Sequence, residues 1–172
     1  MAAESFLQGV PLLGVLIGLE EGDDVLVGAV YLPGLDELVC AARHLGRWWN
    51  GRRASVSRVE NLAEACLCCL CYTSAASFAA RGRQAAFERA SSQVRLARGW
   101  GDCYGHILVA TGRADLMLDP VMNPWDCAPL LPVLREAGGT FTDWQGRATI
   151  HGGDAVSTNG HLFEAAMACL TD

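Results

Sequence analysis

Along the first sixty residues, apolar and polar positions change over in short runs with turn residues between them. Leu12 to Leu19 and Val25 to Leu32 are rich in aliphatic and β-branched residues. Glu20-Glu21-Gly22-Asp23-Asp24 separates them, the pattern of an antiparallel hairpin. Pro33-Gly34 makes the next turn, Glu37 to Ala42 continues as a strand, and Gly46 with Asn50-Gly51 punctuates a further short hairpin bearing Trp48 and Trp49. Residues 1–60 therefore read as a β-meander. The longest apolar run, Val10 to Leu19, contains Gly14 and Gly18 and falls short of the roughly 20 residues that span a bilayer, so it reads as a buried strand. A meander of this kind needs partners for its apolar faces, because an uncovered face or edge invites association.

After Val59 the pattern changes. An apolar strand is expected from Ala65 to Tyr72, a helix from Ser77 to Ala90, a strand from Val94 to Ala97 and a helix from Cys103 to Thr111. Ala114 to Leu118 follows as a strand, Pro124 to Ala137 as a helix, Gly139 to Thr142 and Ala155 to Ser157 as strands, and Leu162 to Leu170 as a closing helix. Such alternation predicts the α/β class, a layered sandwich, over residues 61–172. No flexible linker separates this half from residues 1–60, so the two are expected to pack together.

Composition narrows the function. A chain of 172 residues that is 51% apolar can bury a core. Its formal net charge is -6 and its basic residues are scattered, which excludes the electrostatic footprint of a nucleic-acid binder and favours a small-molecule substrate. Glu4 stands near the start, with no basic and apolar leader around it, so the protein is expected in the cytoplasm, with its eight cysteines mostly reduced. Cys66-Leu67-Cys68-Cys69-Leu70-Cys71 contains two overlapping C-x-x-C spacings. On a strand, however, Cys66 and Cys68 face one way and Cys69 and Cys71 the other. They cannot close one tetrahedral metal site and are read as core packing. His44, His106, His151 and His161 lack partners at metal-ligand spacing and read as structural, and no G-x-x-x-x-G-K phosphate loop is present.

The chemistry gathers between Arg98 and Gly139. In Asp119-Pro120-Val121-Met122-Asn123-Pro124-Trp125-Asp126-Cys127-Ala128, Asn123 is a favourable N-cap, Pro124 suits the first helical position and Asp126 falls at the third, near free amides. Gly138 and Gly139 supply the left-handed end of the same helix. Taken alone, Asp126 is explained as a cap and dipole complement. Asp102, in Trp100-Gly101-Asp102-Cys103-Tyr104-Gly105, lies just before an apolar helix, a place where aspartate serves as a cap. Asp119 is placed to accept bonds in the turn before Pro120.

Trp125-Asp126 with Glu136-Ala137-Gly138-Gly139, and Asp119 seven residues before Asp126, resemble the second signature of the inositol monophosphatase family. The Trp-Gly-Asp-Cys-Tyr-Gly string resembles that family's histidinol-phosphatase branch, and the likeness extends to the Glu4 to Pro11 and Thr149 to Gly160 stretches. The resemblance implies the carboxy-terminal two-thirds of the sugar-phosphatase fold and a Mg²⁺-dependent hydrolysis of a small phosphate ester. Histidinol phosphate is then the first substrate and inositol monophosphate the alternative. It implies that Asp126 is a metal ligand and that Gly101, Asp102, Cys103, Asp119 and Asp126 contact substrate. The family's Asp-Pro-Ile-Asp-Gly-Thr type string, which supplies two further acidic ligands and a phosphate cradle, is not found, and Met1-Ala2-Ala3 stands where its last residues belong. The expectation is thus a shortened chain of low activity, with no complete catalytic set. Alternatively it is a fragment, or an inactive module that binds a copy of itself or an intact paralogue.

Overall fold

The computed structural model describes residues 6–22, 24–70 and 75–171, with the side chains of residues 75–77 excepted. Expectations for Met1 to Ser5, Asp23, Cys71 and Tyr72 lie outside the described residues. The alternating runs of the first sixty residues form one antiparallel sheet of five strands, β1 (Val15–Glu21), β2 (Asp24–Leu32), β3 (Glu37–Ala42), β4 (Gly46–Trp49) and β5 (Arg52–Arg53), each paired with its neighbour in sequence. Asn50 adopts a left-handed conformation in the last turn, and its amide is used twice. Its Oδ1 accepts from the Leu38 N–H at 2.7 Å and its Nδ2 donates to the Asp36 carbonyl at 2.9 Å.

The second sheet contains β6 (Cys66–Cys69), β7 (Leu96–Arg98), β8 (Leu116–Asp119), β9 (Thr140–Thr142) and β10 (Ala155–Thr158), in the order β7-β6-β8-β10-β9. β6 runs parallel to β7 and β8, whereas β10 is antiparallel to both its neighbours. The helices are α1 (Ala75–Ala80), α2 (Gln84–Gln93), α3 (Asp102–Ala110), α4 (Pro124–Cys127), α5 (Leu130–Glu136) and α6 (Phe163–Leu170).

Two cores set the layers. In one, Val30, Leu32 and Val39 of the first sheet meet Ile107 of α3, Leu134 of α5 and Met117 of the second sheet, so α3 and α5 lie between the sheets. In the other, Leu67, Leu116 and Leu118 meet Phe78, Phe87 and Ala166 on the far side of the second sheet, where Phe78 and Phe87 stack. The architecture is therefore sheet, helices, sheet, helices, the layered α/β sandwich that the alternation implied. Cys66 and Cys68 join the first core and Cys69 the second, the division that strand periodicity requires. His106 is buried in α3 with Nδ1 2.7 Å from the Ser157 Oγ, and burial pushes its pKa down to about 3.

Three expectations change. The run read as a buried strand forms β1, an edge strand whose Val15, Ile17 and Leu19 are 50%, 65% and 56% exposed. Register places them on the same face as Val27 and Tyr31 of β2 and Leu38 of β3, also exposed, so hydrophobicity alone misjudged the burial of this face. The helix expected over Ser77 to Ala90 is two helices, because the chain turns at Gly82, whose φ is +68°. The helix expected over Pro124 to Ala137 is split between α4 and α5. Ala128 and Pro129 keep helical dihedrals, but Pro129 and Pro132 have no N–H for the ladder.

Candidate active site

The site is built where the second sheet delivers its strand ends to two helix starts. β8 ends at Asp119, and after the turn at Pro120 the chain enters α4 through Asn123, which has extended dihedrals, with Pro124 at the first helical position. Asp126, at the third position, returns its carboxylate to the cap: Oδ2 accepts from the Asn123 backbone N–H at 3.1 Å and from Asn123 Nδ2 at 3.1 Å. The C-terminal signal is equally literal. Gly138 has φ +92°, and the Gly139 N–H donates to the Leu134 carbonyl at 2.9 Å.

Opposite, α3 begins at Asp102. Gly101 packs so closely on Leu70 that a Cβ there would collide with the Leu70 backbone, which brings the start of α3 against the end of β6. Gly105 meets Met117 and the Trp100 carbonyl in the same manner. Asp102 is not the residue before the helix but its first residue, and its φ is +54°, a left-handed conformation that L side chains with a Cβ rarely adopt. The cap position belongs to Gly101.

Asp102, Cys103, Asp119, Asn123 and Asp126 line one cleft of about 180 Å³, with Leu16, Val121, Met122 and Leu130 as its apolar wall. Four of the five sequence-predicted site residues thus meet, and the fifth, Gly101, adjoins Asp102 as the cap of α3. Asp119 holds both of the places open to it: its Oδ1 accepts from the Val121 N–H at 3.2 Å, and it faces the cleft. Burial pushes its pKa up to about 7; the Val121 N–H works against this, while the negative charges of Asp102, Asp126 and Asp154 add to it. Burial, with Asp102 nearby, pushes the Cys103 thiol up to about 12, so it lines the cleft as a neutral group and not a nucleophile. Cys127, behind Asp126, is likewise pushed up to about 12 by burial.

Leu16 was invisible as a site residue, since it comes from the meander and carries no chemical mark. Asn123 had a signal, its place three residues before Asp126, but was read only as a cap. The described residues contain no group of three His, Cys, Asp or Glu side chains arranged to hold a metal ion. The oxygen donors that line the cleft are carboxylates and an amide, beside a protonated thiol and the Met122 thioether. Those oxygens suit a hard divalent cation.

A model of the inositol monophosphatase family matches residues 3–170. The chain is 38% identical over 168 residues to a histidinol-phosphatase of Chlorobaculum parvum, covering 96% of this chain and 63% of that protein. It is 36% identical to a histidinol-phosphatase of Mycobacterium tuberculosis, covering 95% and 64%. The chain therefore spans less than two thirds of the length of these curated relatives. Among solved structures, the extragenic suppressor protein suhB of Bartonella henselae superposes with a TM-score of 0.87 at 27% identity, over 99% of this chain and 69% of that one. An inositol monophosphatase of Zymomonas mobilis superposes with a TM-score of 0.85 at 25% identity, over 98% and 66%.

Proposed function

The chain belongs to the inositol monophosphatase family, and from that premise we propose that its cleft serves the hydrolysis of a small phosphate monoester whose alcohol half is cationic, with histidinol phosphate as the first substrate. The observation that carries this reading is the convergence of Asp102, Asp119 and Asp126 on one cleft. Three acids facing one space repel an anionic alcohol half and attract an ammonium or imidazolium group. The names of the similar histidinol-phosphatases support the same substrate.

The cleft residues divide the work. Asp126 offers the hard oxygen that holds a divalent cation, Mg²⁺ in this reading. Such a cation, when bound, polarises the phosphoryl oxygen and lowers the pKa of its water. Asp102 pairs with the positive charge of the alcohol half. Asp119, titrating near neutrality, exchanges a hydrogen bond with a substrate hydroxyl or amine. Cys103 and Gly101 shape the wall against which that half rests. In this reading Asp126 is one carboxylate ligand, and holding two ions a few ångströms apart takes more than one. No described helix is long and apolar enough to cross a membrane; a cytoplasmic setting is part of this reading, one in which thiols stay reduced.

Phosphate release from histidinol phosphate and from inositol monophosphate, each with Mg²⁺, tests the substrate; turnover of the inositol ester alone rejects it. Asp126→Asn should abolish whatever activity is found, and an unaffected variant removes the ligand role.

The bare face of the first sheet favours a second reading. Val15, Ile17, Leu19, Val27, Tyr31 and Leu38 form an exposed apolar patch without a charge among them, and such patches mark association surfaces. In this reading the chain pairs with another copy through that face. Sedimentation of a well-behaved monomer at micromolar concentration argues against it, as does an Ile17→Asp variant that associates unchanged.

A further inference from the structure

We propose that Asn123 is a positioning residue that presents a single oxygen of Asp126 to the cleft, so that the site favours a small octahedral divalent cation over calcium. The inference rests on the reading of Asp126 as a metal ligand. Asp126 Oδ2 receives two donors from the same residue, the backbone N–H and Nδ2 of Asn123, both at 3.1 Å. An ionised carboxylate oxygen has two lone-pair positions, and both are taken. Among the described residues no donor reaches Oδ1, and both Asn123 and Asp126 line the cleft. In the capping box that opens α4, the Asn123 amide faces both the Asp126 backbone and the Asp126 carboxylate, and it is the Nδ2 donor that reaches Oδ2.

The consequence is geometric. A cation approaching from the cleft meets Oδ1 with its lone pairs open and Oδ2 with none. Calcium takes six to eight oxygens and often binds a carboxylate through both, which here requires breaking the two Asn123 bonds; Mg²⁺ and Mn²⁺ accept a single carboxylate oxygen in an octahedral shell. Groups that orient a ligand in this way commonly set metal affinity.

The test uses Mn²⁺ as a paramagnetic probe of the 172-residue chain, with Ca²⁺ as competitor, read by electron paramagnetic resonance of free Mn²⁺. Asn123→Ala should lower the Ca²⁺ concentration that displaces half the Mn²⁺ by about ten- to a hundredfold, the worth of one hydrogen bond to a charged acceptor. A merely structural role shifts the melting temperature and weakens both ions together, leaving their ratio unchanged. Asn123→Leu, of similar shape and without the donor, replaces the alanine variant should that misfold. If the wild type binds no Mn²⁺, or Asp126→Asn binds it equally well, the metal reading fails and the inference with it. If Mn²⁺ binds through Asp126 and the Ca²⁺ to Mn²⁺ ratio is unmoved in both Asn123 variants, the inference alone is overturned.

Discussion

Asn159 holds Ser57 across 102 residues of chain: its Nδ2 donates to the Ser57 hydroxyl at 2.9 Å and to the Val59 carbonyl at 2.8 Å, while its Oδ1 accepts from the Leu162 N–H at 3.0 Å. Ser57 in turn donates to the Asp115 carboxylate, which also accepts from the Cys66 N–H at 2.6 Å. This buried hub ties the segment between the two sheets to β6, β10 and the start of α6. Asn159→Ala leaves buried donors and acceptors without partners, and is expected to lower the free energy of unfolding by about 2–4 kcal/mol. Urea denaturation followed by circular dichroism checks it; a loss below ~0.5 kcal/mol, the scale of an ordinary surface substitution, contradicts the hub.

The left-handed Asp102 separates function from stability. Glycine adopts φ near +54° without the Cβ penalty, whereas alanine retains it. Asp102→Gly should therefore be more stable than Asp102→Ala by about 1 kcal/mol, although both lose the carboxylate and with it the affinity for a cationic alcohol such as histidinol. Thermal melts of the two variants, with calorimetric titration of histidinol, supply both readouts.

Asp119 makes stability depend on pH. Its pKa stands at about 7 in the fold, against about 3.9 for an aspartate in an unfolded chain. An acid with a raised folded pKa contributes fully below the unfolded value, since both states then carry the proton. The contribution is lost as pH rises from about 4 through about 7, because the unfolded chain releases its proton first. The loss has a ceiling of about 4 kcal/mol, three pKa steps. Asp119→Asn should flatten the fall of melting temperature over that window, and an unchanged profile assigns the slope to other groups.

Gly28 seats α5 on the first sheet. It lies in β2, and a Cβ there would collide with the Pro129 carbonyl and crowd Pro132. Gly28→Val should cost about 2–3 kcal/mol by overpacking and, by displacing the α4–α5 junction, weaken ligand binding at Asp126. Val27→Thr, on the exposed face of the same strand, should change neither beyond roughly 0.5 kcal/mol.

Much of this was legible because its causes are local. The Asn-Pro-x-Asp start and Gly-Gly end of the Asp126 segment carry their own cap chemistry, so the structure matches the expectation for Asn123, Pro124, Asp126 and Gly138. Turn residues marked the strand order of the first sheet for the same reason. The Cys66 to Cys69 run behaved as strand periodicity demands. Gly82 and the Pro129, Pro132 pair were local marks too, but a continuing apolar pattern on either side concealed their effect.

By itself the sequence determined which residues share a face, how the Asp126 segment is capped, and that acids and glycines recur together between Arg98 and Gly139. Tertiary structure alone decided which faces are covered, that Leu16 of the meander walls the cleft, and that Asp102, Asp119 and Asp126 meet there. The reason is one of range. Periodicity and capping are set by neighbours a few residues away, whereas burial, pKa and the direction of a carboxylate depend on groups brought close only when distant segments pack.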